Sequence, residues 1–216
     1  MFHSAEELNR LYNEGYVKLV MDNDLEAGIP LAHAIKDLFP DVKRVADVGC
    51  NNGVHMKYML ELGFDIEGFD ISTAALAKAI VPPELIHIAD LRYPMGEYKR
   101  FDLAYAVECI EHIELEGLAQ FSDNIKALAP ILICTPGFQG GTGHFIEQPS
   151  TWWIWRFCKA GWQYDIGMTG DLHNYLMQPR WDKDFKKFPF PRRGIMVFRQ
   201  NIANRQSMLE GTVAVG

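Results

Sequence analysis

The residues whose types and spacing could do chemistry fall into three groups. The first is Asp47-x-Gly49-x-Asn51-x-Gly53, followed some twenty positions on by Asp70. Gly49 and Gly53 remove side chains where the backbone must pass close to a ligand. A helix starting after Gly53 would aim free N–H groups at the turn, which favours a carboxylate or phosphate. Asp70, closing an apolar run, can accept hydrogen bonds from two vicinal ribose hydroxyls. The second group is Glu108, Glu111 and His112, which would share one face of a helical turn and could together hold a divalent metal. The third is His144 in a glycine-rich loop. Its imidazole titrates near neutral pH, so it is the first candidate for a general base, with His112 the second.

Positioning these groups calls for alternating strands and helices. β-Branched or apolar runs sit at Arg44–Val48, Asp65–Ile71, Leu85–Ala89, Phe101–Val107 and Ile131–Thr135, with further strands expected at Trp162–Met168 and Ile195–Gln200. Ser4 and Glu7 form a capping box for a helix over Ala5–Tyr12, and Pro40 should stop another over Leu31–Phe39. Val54, Tyr58 and Leu62 recur at helical spacing, Ser72 can cap a helix carrying Leu76 and Ile80, and Leu118, Phe121, Ile125 and Leu128 mark one helix face. The pattern predicts an α/β fold, a doubly wound and mainly parallel seven-stranded sheet with helices on both faces. A helical segment over 1–40 precedes the main domain of 41–201. Within it, 169–194 reads as an insertion or lid, and 202–216 as a loose tail.

Strand, small-residue turn, helix and acid-ended strand make a βαβ nucleotide-binding unit, and NAD-type dehydrogenases use the same logic with G-x-G-x-x-G. The spacing here instead resembles the class I S-adenosylmethionine-dependent methyltransferases, whose first motif is D-x-G-x-G-x-G. Asp47, Gly49 and Gly53 match it, Cys50 stands where that family often has cysteine, and Asn51 replaces the central glycine. Asn tolerates left-handed backbone better than most residues. Further matches are Asp70-Ile71 at the ribose-binding acid, Ala89-Asp90-Leu91 where an acid meets adenine, and Phe101-Asp102-Leu103 through Glu108 in the fourth-strand motif. The resemblance covers about residues 45–137. It implies S-adenosylmethionine as cofactor, held by Asp47, Gly49, Cys50, Asn51, Gly53, Asp70, Ile71, Asp90, Leu91 and Glu108. It also implies a small-molecule or sugar acceptor, methylated on oxygen, with His144 as base. The E-x-x-E-H set of Glu108, Glu111 and His112 resembles the metal ligands of the small-RNA 3′-terminal 2′-O-methyltransferases, a resemblance that would make His144 a candidate fourth ligand here. Many small-molecule methyltransferases share that string with no catalytic metal, and no metal is assigned here. A non-catalytic nucleotide-binding module is the third reading.

Net charge of −7 argues against a general nucleic-acid surface, although Arg180–Arg193 holds six basic and two acidic residues among four aromatics. Cys50, Cys109, Cys134 and Cys158 form no C-x-x-C pair, so neither a zinc knuckle nor a redox pair is expected. No apolar stretch reaches bilayer length and the first residues lack a signal-peptide pattern, so a soluble, cytoplasmic protein is expected. Trp152, Trp153 and Trp155 cannot all share one helix face, and one of them could line a flat acceptor.

Overall fold

The structure, a computed structural model, describes residues 3–96, 98–137, 140–187 and 194–200. Its helices are α1 (Ala5–Leu11), α2 (Glu14–Asp24), α3 (Gly28–Leu38), α4 (Met56–Glu61), α5 (Thr73–Ala77), α6 (Leu118–Leu128), α7 (Ser150–Lys159) and α8 (Ile166–Leu176). The strands are β1 (Arg44–Val48), β2 (Asp65–Asp70), β3 (Ile86–Ile88), β4 (Leu103–Val107), β5 (Ile131–Thr135), β6 (Trp162–Tyr164) and β7 (Met196–Gln200). They form one seven-stranded sheet in the order β3-β2-β1-β4-β5-β7-β6. β1 to β5 run parallel, and β7 pairs antiparallel with both β5 and β6.

Both faces of the sheet are covered, and alternation along the strands divides the core in two. Val45, Leu103, Tyr105, Ile133 and Val197 pack with Leu31 and Ile35 of α3, Met56 and Met59 of α4, and Leu172 and Leu176 of α8. Their neighbours Ala46, Val48, Ala104, Ala106, Leu132 and Phe198 point the other way, into Leu118, Phe121 and Ile125 of α6 and Trp153 and Phe157 of α7. The expected face of α6 is therefore the buried one.

Several expectations need correcting. α2 was not foreseen: it carries Gly15 and little apolar contrast, and its start depends on the Asn13 side chain accepting from Gly15 N and Tyr16 N. The strand expected to reach Met168 stops at Tyr164. Asp165 then caps α8 by accepting from Met168 N, so a helix occupies the first part of the expected 169–194 insertion. The tryptophans divide plainly. Trp153 is buried, Trp155 is exposed, and neither lines the clefts described below. The expected tail from 202 lies outside the described residues. Among the described residues no helix is long and apolar enough to cross a membrane.

Candidate active site

The strand order reverses direction between β1 and β4, and the carboxyl ends of β1 to β5 open there into two adjoining clefts. One lies over β1, β2 and β3 and is lined by Gly49, Asn51, Asp70, Ile71, Asp90 and Leu91. The other, of about 300 Å³, includes Asp47, Cys50, His55, Glu111 and His144. Tyr16, Gly49, Asn51, Glu108 and His112 border both.

Asp70 is set by the turn after β1. One of its oxygens accepts from Asn51 N and the other from Ser72 N, each at 2.8 Å. Burial raises its pKa, and the N–H groups of Ser72, Asn51 and Ile71 oppose that rise. Each oxygen keeps acceptor capacity towards the cleft. Asn51 has φ of 49°, the left-handed backbone expected of it. The glycines have a packing role besides the expected one. A side chain at Gly49 would strike Cys109, and one at Gly53 would strike Val81, so both serve internal packing as well as positive φ; Gly53 lines neither cleft. Nor does a helix start directly after Gly53. Residues 51–55 are turn, α4 begins at Met56, and the Asn52 N–H is taken by the Asn51 side chain.

Asp90 faces the first cleft, but Arg92 holds its carboxylate, with Nε at 2.8 Å and Nη2 at 2.7 Å. Arg92 also reaches Glu114 at 2.5 Å and the His3 carbonyl at 2.8 Å, tying the amino-terminal segment to this end of the cleft. At the other end Glu108 has φ of 51°, uncommon outside glycine and a form of backbone strain that gathers at functional sites. The Thr135 hydroxyl secures it, accepting from Glu108 N at 2.9 Å and donating to Oε1 at 2.8 Å.

Glu108 therefore does not share a helix face with Glu111 and His112, which follow in a 3-10 turn at Ile110–His112. His144 takes its place. Glu111 Oε1 lies 3.6 Å from His144 Nε2 and 3.8 Å from His112 Nε2, and neither Glu111 oxygen makes a hydrogen bond. Burial pushes the Glu111 carboxyl up to about 8, against the nearby N–H groups of Glu111 itself and Gly137. His112 is held down to about 3 by burial and by His144. Its Nδ1 sits 3.0 Å from the Gly143 carbonyl, which can only accept, so Nδ1 carries the proton and Nε2 offers its lone pair to the cluster. The Tyr12 hydroxyl, also 3.0 Å from Nδ1, closes this arrangement. His144 is not a solvent-facing loop residue: its side chain is 7% exposed. Side chains at Gly137 or Gly141 would collide with its ring, so the glycines of the loop form its cradle.

Asp47 closes the inner wall of the second cleft, and burial, then the charge of Asp70, push it up to about 8. Sequence reasoning missed Tyr12, Tyr16, Arg92 and His55. The acid and base two apart in Asp90-x-Arg92 were a readable signal. Nothing local marked Tyr12, which meets His112 across a separation of 100 residues.

A family model described as a methyltransferase domain matches residues 24–165. A ubiquinone biosynthesis O-methyltransferase of Paraburkholderia phymatum is 35% identical over 78 residues, which are 33% of this chain and 34% of that protein. Its namesake from Psychrobacter cryohalolentis is 25% identical over 80% of this chain and 68% of its own. Across five such relatives the match spans between 34% and 68% of their length. A TehB-like SAM-dependent methyltransferase structure from Corynebacterium glutamicum shares the fold, with a TM-score of 0.58, 16% identity, and coverage of 80% of this chain and 88% of that one.

Proposed function

The chain belongs to the methyltransferase domain family, with S-adenosylmethionine as its cofactor, and we propose that it methylates an oxygen of a small hydroxylated molecule. The observation that carries this reading is the pair of adjoining clefts bordered in common by Gly49, Asn51, Glu108 and His112. In the first cleft Asp70 receives the ribose hydroxyls, Ile71 and Leu91 flank the adenine, and Asp90 with Arg92 closes that end. In the second an acceptor hydroxyl approaches along the floor set by Glu111, His112 and His144. Methyl transfer from a sulfonium needs alignment and, for a hydroxyl, a place for the proton. His144 is the proposed proton acceptor, with the Glu111 carboxyl 3.6 Å from its Nε2. The curated relatives' O-methyltransferase names support oxygen as the methylated atom. The direct test is calorimetry with S-adenosylhomocysteine, which should bind one to one. A folded protein giving no heat would leave only a non-catalytic module.

A second reading rests on the same cluster. Glu111, His112 and His144 each offer one ligand atom, and those atoms lie within 4.8 Å of one another. The residues fit a divalent cation: Glu111 has two oxygens without hydrogen bonds, and His112 donates Nδ1–H to a carbonyl as metal-bound histidines do. An ion there would lower the pKa of an acceptor hydroxyl. This is the arrangement a metal-assisted RNA-terminal 2′-O-methyltransferase would need, with the ion held by three residues instead of the E-x-x-E-H set. Titration with Mn²⁺ decides. Stoichiometric binding that Glu111→Gln abolishes favours the metal, and no binding leaves His144 as base.

A further inference from the structure

The second cleft has a wall built from one face of α2. Tyr16, Leu19 and Val20 line it at the i, i+3, i+4 spacing of a single helix face. Tyr16 stands at the reactive end, its ring 6.3 Å from that of His112. At the far end of the same wall Lys187 borders the cleft, its Nζ 3.3 Å from the Asp22 carbonyl. The Asp22 carboxylate is occupied by Lys18 at 2.6 Å, and among the described residues no carboxylate lies within ion-pair reach of Lys187. Tyr16 and Asp22 are six residues apart, about 9 Å along the axis of α2, and Lys187 borders the cleft at the Asp22 end.

Every other formally charged residue lining this cleft is an acid: Asp47, Glu108 and Glu111. The three acids lie towards the β1 and β4 ends, while Lys187 closes the α2 end.

We infer that the acceptor is an amphipathic hydroxylated carboxylate, whose hydroxyl reaches Glu111, His112 and His144 while its carboxylate, towards the carboxyl-terminal end of α2, meets Lys187. This rests on the methyltransferase reading and adds the class of substrate to it. The apolar middle of the acceptor lies against Leu19, Val20 and Val54. A carboxylate suits the site better than a phosphate. One lysine is a single point charge, no arginine fork borders the cleft among the described residues, and the adjoining end of α2 presents carbonyl oxygens that repel a dianion.

The test is calorimetry on the full chain, first with S-adenosylhomocysteine and then, on the saturated protein, with two pairs of probes. The pairs are 3,4-dihydroxycinnamate with its amide, and the shorter 3,4-dihydroxybenzoate with its amide. The cinnamate should bind three- to tenfold more tightly than its amide at low salt, and the benzoate should lose most of that advantage. Lys187→Met should equalise the cinnamate pair while leaving S-adenosylhomocysteine affinity unchanged. The inference is overturned if neither cinnamate probe binds, if acid and amide bind alike to wild type, or if the preference survives in Lys187→Met. It is equally overturned if the shorter pair shows the same preference. Each of those results leaves the methyltransferase reading standing, whereas no heat with S-adenosylhomocysteine would bring down both.

Discussion

Two buried acids carry opposite consequences at the scale of single residues. Asp70 is held by backbone N–H donors on both oxygens and still faces the cleft. Its bonds to ribose hydroxyls should contribute about 1.5–3 kcal/mol each, so Asp70→Ala should weaken S-adenosylhomocysteine binding at least tenfold by calorimetry. An unchanged Kd in a folded variant would remove Asp70 from the cofactor site. Asp47 makes no comparable pair of bonds, and its Oδ2 is unpartnered. Its carboxyl is raised from 3.8 to about 8, so the folded state holds a proton that the unfolded chain releases between those values. Stability from this group is present at acid pH and lost as pH rises through about 8. The ligand-free protein should therefore show a Tm that falls from pH 5 to pH 8.5, and Asp47→Asn should reduce that slope, with Glu111, also raised to about 8, supplying the rest. A slope identical in wild type and Asp47→Asn would assign the pH dependence elsewhere. Asp70 was legible because an acid ending an apolar strand is a pattern. The raised pKa of Asp47 was not, because it comes from burial that only the assembled sheet supplies.

Among the elements, the glycine-rich loop after β5 shows where sequence reading succeeds and where it stops. The loop's length and its histidine were visible as a functional sign, and the structure carries His144 to the rim beside Glu111. What the glycines are for was not visible. Gly137 and Gly141 are vacant where the His144 ring and the Glu111 carboxylate lie, a relation between β4, β5 and the loop. Gly141→Ala should therefore displace the imidazole while sparing the sheet. The expected result is a loss of kcat approaching that of His144→Ala, roughly 10²–10⁴-fold, with Tm and S-adenosylhomocysteine affinity nearly unchanged. Full activity in Gly141→Ala would mean that the ring's placement does not matter to the reaction. The same limit explains the error over Glu108. A helical turn was assumed from spacing, but Glu108 adopts left-handed backbone and turns to Thr135, so the three-residue cluster forms with His144 instead.

For the whole molecule, the sheet was readable because buried parallel strands announce themselves as short apolar runs between helical patterns. The amino-terminal helices were harder. α1 was signalled by its capping box, α2 was missed, and nothing in either showed that both would lie over the carboxyl ends of the strands. They are tied there by hydrogen bonds and ion pairs more than by buried side chains, the buried apolar residues here being Leu8, Tyr12 and Val17 among the described residues. Ser72 Oγ donates to the Tyr12 carbonyl at 2.7 Å, Thr73 N to Asn9 Oδ1 at 2.8 Å, and Asn9 Nδ2 to the Ile71 carbonyl at 3.2 Å. His3 and Glu114 add a pair at 2.7 Å. In α1 only Leu8 is buried, whereas every residue of β4 is. Regions with few buried apolar contacts open locally at lower free energy than the core. The helices should therefore open independently of the sheet, and a cofactor lying beneath Leu8, Tyr12 and Tyr16 should hold them down. Hydrogen exchange followed by mass spectrometry tests this directly. Amides of α1 and α2 should exchange well before those of β1 and β4 in the ligand-free protein, then slow at least tenfold with saturating S-adenosylhomocysteine. If peptides spanning residues 5–24 exchange as slowly as β4 without ligand, the helices are part of the rigid core. If they exchange fast but ignore the ligand, they do not cover the cofactor.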